Sequence, residues 1–165
     1  MRVLIAGFGN VLRTDDAFGV EVVRRLADMT LPDGVHVSET GIGGMTMVQE
    51  LQDGYDALVI VDAVDRGRPP GTIMVIEPDI VDVDSLTPAE RHEVMADIHL
   101  TTPAKAMMMA RAMGVLPDLR VLIGCQPEEP EEVGLEMTAT MTAAVPVAVD
   151  EIVRHINELV GAEHR

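Results

Sequence analysis

A chain of 165 residues with 47% apolar side chains has the size and composition of one domain with a substantial core. Its formal net charge of −16, from 28 acidic and 12 basic side chains, argues against the clustered basic surface that binds nucleic acid or an anionic membrane. A single Cys excludes an internal disulfide, and no apolar run reaches the length of about 18 residues that spans a membrane. We expect one domain over residues 1–165 that is cytoplasmic and is a monomer when free.

The first half of the chain is predicted to alternate between strands and helices. Apolar runs and period-two alternation predict strands, whereas apolar residues at helical spacing predict helices. The predicted strands cover residues 2–6, 34–39 and 56–62, and the predicted helices cover residues 15–28 and 43–53.

The second half continues this order around an acidic stretch. The pattern predicts a strand over residues 71–77, an irregular segment over 78–100, a helix over 103–113, a strand over 119–124 and a helix over 138–160. Thr102 and Pro103 form a favourable helix start. Pro146 is expected to kink the last helix or to begin its second half.

Apolar strands alternating with helices predict an α/β fold. We expect a three-layer sandwich, in which a twisted, mostly parallel sheet of about five strands is covered by helices on both faces. In such sheets ligands bind beyond the carboxyl ends of the strands, so the residues that follow each strand are the candidates for function.

The turn after the first strand is similar to a nucleotide-binding loop but lacks its decisive features. Gly7-Phe8-Gly9 opens the turn, yet Leu12 stands where the dinucleotide fingerprint requires a third glycine. The acidic pair Asp15-Asp16 follows at the predicted helix start, where a carboxylate repels a pyrophosphate. These departures disfavour a nucleotide-binding oxidoreductase.

Two aspartates are candidate cation ligands. Asp15-Asp16 could be ordinary helix-start charge, and Asp62, at the end of the most apolar strand, could cap the following turn. If the two strands are neighbours, however, Asp16 and Asp62 meet at the carboxyl edge of the sheet. There they could hold a cation once a third donor is supplied.

Four of the five histidines are poor candidates for that donor. His36 is expected to point outward from a strand, and His155 and His164 are expected to be solvated. His92 begins a His-Glu sequence, but Ala96 replaces the second histidine of the zinc-protease motif.

His99 is the histidine placed to complete the set, because it lies in a loop just before the helix start at Thr102. A single loop histidine is more often structural than a ligand. Asp16, Asp62 and His99 together would nevertheless give two oxygen donors and one nitrogen donor, which suit nickel, zinc or manganese. Such a sparse set is better suited to a metal that arrives with a partner than to a private site.

Cys125 and the run Met107-Met108-Met109 have ordinary interpretations. Cys125 could be a nucleophile at a strand end, but no histidine partner is evident and a small buried Cys is commoner. The methionines could form a soft metal site, although core packing of a helix is more frequent.

Four segments in order carry a resemblance to a known family. They are GFGNVLRTDDAFGV at 7–20, VIVDAV at 59–64, DIHLTTPA at 97–104 and GCQPEEPEEVGLEMT at 124–138. Over nearly its whole length the sequence resembles the hydrogenase maturation proteases, the endopeptidases that trim the large subunit of nickel–iron hydrogenases.

The resemblance implies a twisted, mostly parallel sheet between helices and removal of a C-terminal extension from the large-subunit precursor once nickel is inserted. It also implies that Asp16, Asp62 and His99 are the catalytic and metal-contacting residues, and that the substrate protein supplies the nickel. Asp16 is often Glu in the family, and Glu39-Thr40-Gly41-Ile42 replaces a loop implicated in substrate choice, so the cognate hydrogenase is left open.

This hypothesis leaves the mechanism and the function open between alternatives. The metal would orient the peptide, and it would polarise either the peptide carbonyl or a water. Either Asp16 or Asp62 would act as the general base. The rival is a non-catalytic nickel-sensing or metallochaperone module, which would bind the precursor through the same residues without shortening it.

Overall fold

The fold is described by a computed structural model that covers residues 1–96, 102–129 and 132–163. Its strands are β1 (Val3–Phe8), β2 (Val35–Gly41), β3 (Ala57–Ala63), β4 (Ile73–Ile76) and β5 (Leu119–Cys125). They form one sheet in the order β2-β1-β3-β5-β4, in which only β4 runs antiparallel to its neighbour. The predicted mostly parallel sheet of about five strands is confirmed.

Helices cover both faces of this sheet, as predicted. The helices are α1 (Phe18–Ala27), α2 (Met45–Leu51), α3 (Pro88–Ala96), α4 (Pro103–Ala112) and α5 (Ala139–Glu163). The core under one face is shared with α1 and α5, and the core under the other is shared with α2 and α4. None of the helices in the described ranges has the length and apolar character needed to cross a bilayer.

The continuous apolar sequence of β1 is explained by burial on both faces. Val3 and Ile5 pack into the core beneath α1 and α5, whereas Leu4 and Ala6 pack into the core beneath α2 and α4. Burying one such Val, Leu or Ile contributes about 1.5–3 kcal/mol relative to exposure. A strand with no polar face is therefore stable only at the centre of a sandwich.

The prediction of an irregular segment over 78–100 was wrong for its second part, because α3 occupies Pro88–Ala96. Thr87 and Glu90 begin this helix with a reciprocal cap. The Thr87 N–H donates to Glu90 Oε2 at 2.8 Å, and the Glu90 N–H donates to Thr87 Oγ1 at 3.3 Å. The Thr-x-x-Glu spacing is visible in the sequence and was the signal that the prediction overlooked.

The start of one helix differs from the prediction, because the helix expected over 15–28 is a 3-10 helix over Thr14–Ala17 followed by α1. In α5, Pro146 lies inside one helix, and the expected kink there stays a prediction. Pro146 and Thr142 are both exposed, so water can reach the Thr142 carbonyl that lacks a donor from the proline.

A close backbone approach at Gly19 joins α1 to the sheet. A Cβ at this position would lie 2.2 Å from the carbonyl oxygens of both Phe8 and Val61. Only glycine therefore allows α1 to lie directly on the ends of β1 and β3. This contact performs the helix–strand packing that the third glycine of a dinucleotide fingerprint performs elsewhere.

Replacing Gly19 with Ala is expected to destabilise the protein by about 2–3 kcal/mol, because two backbone carbonyls must move away from the new Cβ. Urea unfolding followed by circular dichroism measures this loss. Gly161→Ala is the matched control, since a Cβ there meets no atom within 4 Å, and alanine stabilises a helix by up to ~1 kcal/mol. Equal losses in the two variants would contradict the steric explanation.

Candidate functional site

A cleft of about 260 Å³ opens at the carboxyl edge of the sheet. Two of the three predicted site residues line it: Asp16, from the 3-10 helix after β1, and Asp62, from the end of β3. Because β2 and β3 lie on opposite sides of β1, the gap between the ends of β1 and β3 is the switch point where ligands bind in such sheets. The other lining residues are Phe8, Gly9, Asn10, Arg13, Gly41, Ile42, Thr102 and Pro103.

The loop between β1 and the 3-10 helix orients the carboxylate of Asp16. The backbone N–H of Asn10 donates to Asp16 Oδ2 at 3.0 Å. Gly9 makes this possible, because its φ is +136° and a Cβ there would lie 1.8 Å from the Asp16 carbonyl oxygen. The second glycine of the motif therefore allows the backbone to approach an aspartate rather than a phosphate.

Asp62 is difficult to ionise in this cleft. Burial and the negative charge of Asp16 raise the pKa of Asp62 to about 7, although a hydrogen bond from the Ala63 backbone opposes the shift. Two carboxylates that repel one another at one cleft are relieved by a divalent cation, which neutralises both. The two carboxylates thus offer oxygen ligands, which suit a hard or borderline divalent metal.

The third predicted residue, His99, lies outside the described residues. Thr102 and Pro103, which follow it in sequence, line the cleft. Thr102 caps α4 as predicted, with its Oγ1 accepting a hydrogen bond from the Lys105 N–H at 3.4 Å. Within residues 1–96, 102–129 and 132–163, no three His, Cys, Asp or Glu side chains come together in a metal-binding group.

The remaining histidines that the structure describes lie away from this cleft. His36 is exposed, as predicted, and its Nδ1 is hydrogen-bonded to the hydroxyl of Tyr55 at 2.7 Å. His92 is exposed on α3. His155 lines a separate cavity of about 370 Å³, and His164 lies outside the described residues.

Asp15 has a role that the sequence did not reveal. Its side chain is fully buried, with 0% exposed. Its Oδ2 accepts hydrogen bonds from the backbone N–H groups of Glu128 at 2.9 Å and Glu129 at 2.7 Å, and its Oδ1 accepts one from Thr138 at 2.9 Å. Burial pushes the pKa of Asp15 upward, but these hydrogen bonds outweigh burial, and its pKa is lowered.

Thr14 also holds the segment that Asp15 binds, and it does so from a strained backbone conformation. Its φ is +29°, in the left-handed region that β-branched residues rarely adopt. Its buried Oγ1 donates to the carbonyl oxygens of Glu129 at 2.7 Å and Glu132 at 3.3 Å. Thr14 and Asp15 thereby fasten the loop after β5 to the start of the 3-10 helix.

The two ordinary interpretations offered for sulfur side chains hold. Cys125 is fully buried beside Met141, and burial together with the charge of Asp15 raises the pKa of its thiol to about 12. A thiol that remains protonated is a poor nucleophile. Met107, Met108 and Met109 are buried in the core beneath α4.

These features define an α/β domain in which two aspartates line a cleft at the switch point of the sheet. A family model described as hydrogenase maturation protease matches residues 20–155. The chain therefore belongs to the hydrogenase maturation protease family, as its resemblance implied.

Individual relatives agree with this assignment. The chain is 35% identical over 156 residues to the hydrogenase expression/formation protein HupD of Rhodobacter capsulatus, covering 94% of this chain and 71% of HupD. It is 31% identical to the hydrogenase 2 maturation protease of Escherichia coli, covering 96% and 92%. The solved structure of the hydrogenase maturating endopeptidase HybD from E. coli superposes with a TM-score of 0.74 at 29% identity, covering 96% of this chain and 93% of HybD.

Asp15→Asn is expected to lower the free energy of unfolding at pH 7 by about 2–3 kcal/mol, because an amide cannot accept hydrogen bonds on both of its ends. The folded pKa of Asp15 is lowered, so its stabilisation is present above the unfolded value of 3.8 and is lost as the pH falls through the folded pKa. In urea unfolding, the free energies of unfolding of wild type and Asp15→Asn should therefore differ less at acidic pH than at pH 7. A difference that stays constant with pH would contradict an ionised Asp15.

Asp62→Asn is expected to stabilise the metal-free protein at pH 8 by up to roughly 4 kcal/mol. Because the folded pKa of Asp62 is raised to about 7, wild-type stability declines as the pH rises from the unfolded value of 3.8 towards 7 and then levels off. Unfolding with a chelator present, from pH 4 to pH 8, measures the gain, which should vanish at pH 4. Asp118→Asn, on an exposed side chain at the opposite edge, should show no such pH dependence.

Proposed function

We propose that this chain is an endopeptidase that removes the C-terminal extension of a nickel-loaded large-subunit precursor of a nickel–iron hydrogenase. The observation that carries the proposal is the convergence of Asp16 and Asp62 on one cleft at the switch point of the sheet. Membership of the maturation protease family supplies the reaction class, hydrolysis of a peptide bond.

Nickel enters the proposal as part of the substrate. Asp16 and Asp62 offer two carboxylate ligands, and we assign His99 as the imidazole ligand because α4 begins in the lining of the same cleft. Three donors leave coordination positions open for groups of the precursor. The set therefore fits recognition of a metal that another protein already holds.

The residues of this chain position the reacting groups. The Asn10 N–H orients the Asp16 carboxylate, and Asp62 is fixed at the end of a central strand. The nickel of the precursor would supply Lewis-acid polarisation of the peptide carbonyl or of a water. Either carboxylate then serves as the general base that accepts a proton from the attacking water.

The proposal also covers the setting in which the protein acts. We place the free protein in the cytoplasm as a monomer. The net charge of −16 accords with a partner that is a protein rather than a nucleic acid or an anionic membrane.

Intact-mass measurement of a purified large-subunit precursor, before and after incubation with this protein, tests the proposal. We expect the nickel-loaded precursor to lose the mass of a C-terminal peptide, and the nickel-free precursor to keep its mass. A stable complex with no mass loss would contradict the protease and support a metal-sensing chaperone.

Variants of the cleft provide the controls for this assay. Asp16→Asn, Asp62→Asn and His99→Gln should each slow cleavage by about 100-fold or more, since each removes a group that acts on the reacting centre. Asp118→Asn removes one exposed carboxylate at the opposite edge and should cleave at the wild-type rate. Wild-type cleavage by Asp62→Asn would refute the assigned site.

A further inference from the structure

Five large apolar side chains are exposed on three loops that adjoin the cleft. Val133 and Leu135 are 82% and 79% exposed, the highest values among the large hydrophobic residues of the described ranges. Leu12, Ile42 and Val11 follow at 58%, 49% and 37%. Single exposed apolar residues are common, but a contiguous group next to a cleft marks an interaction surface. These five residues are called the apolar rim below.

Backbone hydrogen bonds join the two loops that carry most of the apolar rim. The Gly134 N–H donates to the Leu12 carbonyl at 3.0 Å, and the Thr14 N–H donates to the Gly134 carbonyl at 3.1 Å. A Cβ on Gly134 would lie 2.9 Å from the Thr14 side chain, so the two loops are in close contact. The backbone that carries Val133 and Leu135 therefore lies against the loop after β1, which carries Val11 and Leu12.

The apolar rim is also continuous with the cleft. The Gly9 N–H donates to the Gly41 carbonyl at 3.1 Å, which brings Ile42 next to the loop after β1. Ile42 lines the cleft together with Asn10 and Arg13, which flank the exposed residues of that loop in sequence. A molecule that enters the cleft therefore meets Ile42, the rim residue that lines it.

Val133 and Leu135 lie in a loop whose backbone is held by hydrogen bonds to Thr14 and Asp15. Asp15 gives its buried carboxylate to the backbone of this loop, and Thr14 holds two of its carbonyls from a strained conformation. These contacts hold the backbone of a loop that exposes apolar side chains to water, and that exposure adds nothing to stability. A loop whose backbone is held in place before binding loses less entropy on binding, so the arrangement suits a docking surface.

The charges around the apolar rim select the kind of partner. Four exposed glutamates flank Val133 and Leu135 in the described part of the loop, at positions 128, 129, 132 and 136. A second copy of this chain would set these glutamates against their own copies, which costs energy. A partner that presents Arg or Lys around an apolar depression is complementary.

We propose that the apolar rim is the surface on which the large-subunit precursor docks, and that the precursor presents there an apolar depression bordered by Arg or Lys. This inference rests on the proposed function, which makes the precursor the molecule that enters the cleft. The rim binds the folded body of the precursor, while Asp16 and Asp62 act on the segment to be cut. Docking and cleavage are then carried by different residues.

The double variant Val133→Ser/Leu135→Ser tests the docking surface in the cleavage assay. KM for the precursor should rise at least about tenfold, with kcat within about twofold of wild type, because the variant removes binding outside the reacting centre. Met113→Ser/Leu119→Ser is the matched control, with side chains 49% and 47% exposed at the opposite edge of the sheet. The control should leave both constants unchanged, and thermal melting shows that both variants are folded.

The possible outcomes separate this inference from the proposed function. Failure of the wild-type protein to bind and cleave the nickel-loaded precursor would overturn both. Wild-type cleavage with an unchanged KM in the Val133→Ser/Leu135→Ser variant would overturn the docking surface alone. A wild-type dimer in sedimentation velocity that this variant dissociates would assign the rim to self-association instead.

The charge of the partner is tested by association rates. Glu128→Lys/Glu136→Lys should slow binding of the precursor at least about fivefold at low ionic strength, and the difference should shrink at high salt. Glu77→Lys/Asp118→Lys changes the net charge by the same amount, on exposed residues of the opposite edge of the sheet. This control should slow binding of the precursor much less. Equal slowing by both variants would overturn the local charge complementarity.

Discussion

The contact between Gly19 and the ends of two strands determines how the cleft is built. Because residue 19 has no Cβ, α1 rests directly on the carbonyl groups of Phe8 and Val61. The turn that precedes α1 is thereby held against the end of β3, where Asp62 follows Val61. Asp16, in that turn, is brought to the same cleft. The packing of α1 thus brings two mutually repelling carboxylates to one cleft, and the free energy gained in the core offsets their repulsion.

Adjacent aspartates have different surroundings because they occupy consecutive positions of the 3-10 helix over Thr14–Ala17. With three residues per turn, consecutive side chains point about 120° apart. Asp15 is directed into the protein, where backbone N–H groups satisfy its charge, and Asp16 is directed into the cleft. One carboxylate holds the loop after β5 in place, and the other is available for chemistry.

The parts of the molecule that follow from local patterns could be predicted from the sequence. The strands, their mostly parallel order and the position of Asp62 at the carboxyl edge depend on periodicity and on a general rule of α/β sheets. The roles of Asp15 and Gly19 could not be predicted in this way. Asp15 binds amides more than 110 residues away, and Gly19 is required by two strands that no local pattern places beside it. The helix over 88–96 is different, because its capping sequence was present and readable.

The span of the hydrogen bonds to Asp15 has a consequence for the order in which the protein folds. They connect residues separated by 113, 114 and 123 positions, so closing these loops costs entropy before any contact forms. Local helices and the β1–β2 pair can form early, whereas the hydrogen bonds to Asp15 wait for the loop after β5 and the start of α5. During synthesis, a ribosome-bound chain that ends before Thr138 lacks at least one of these hydrogen bonds. The buried charge of Asp15, next to the cleft residue Asp16, is therefore fully satisfied only when most of the chain has been made.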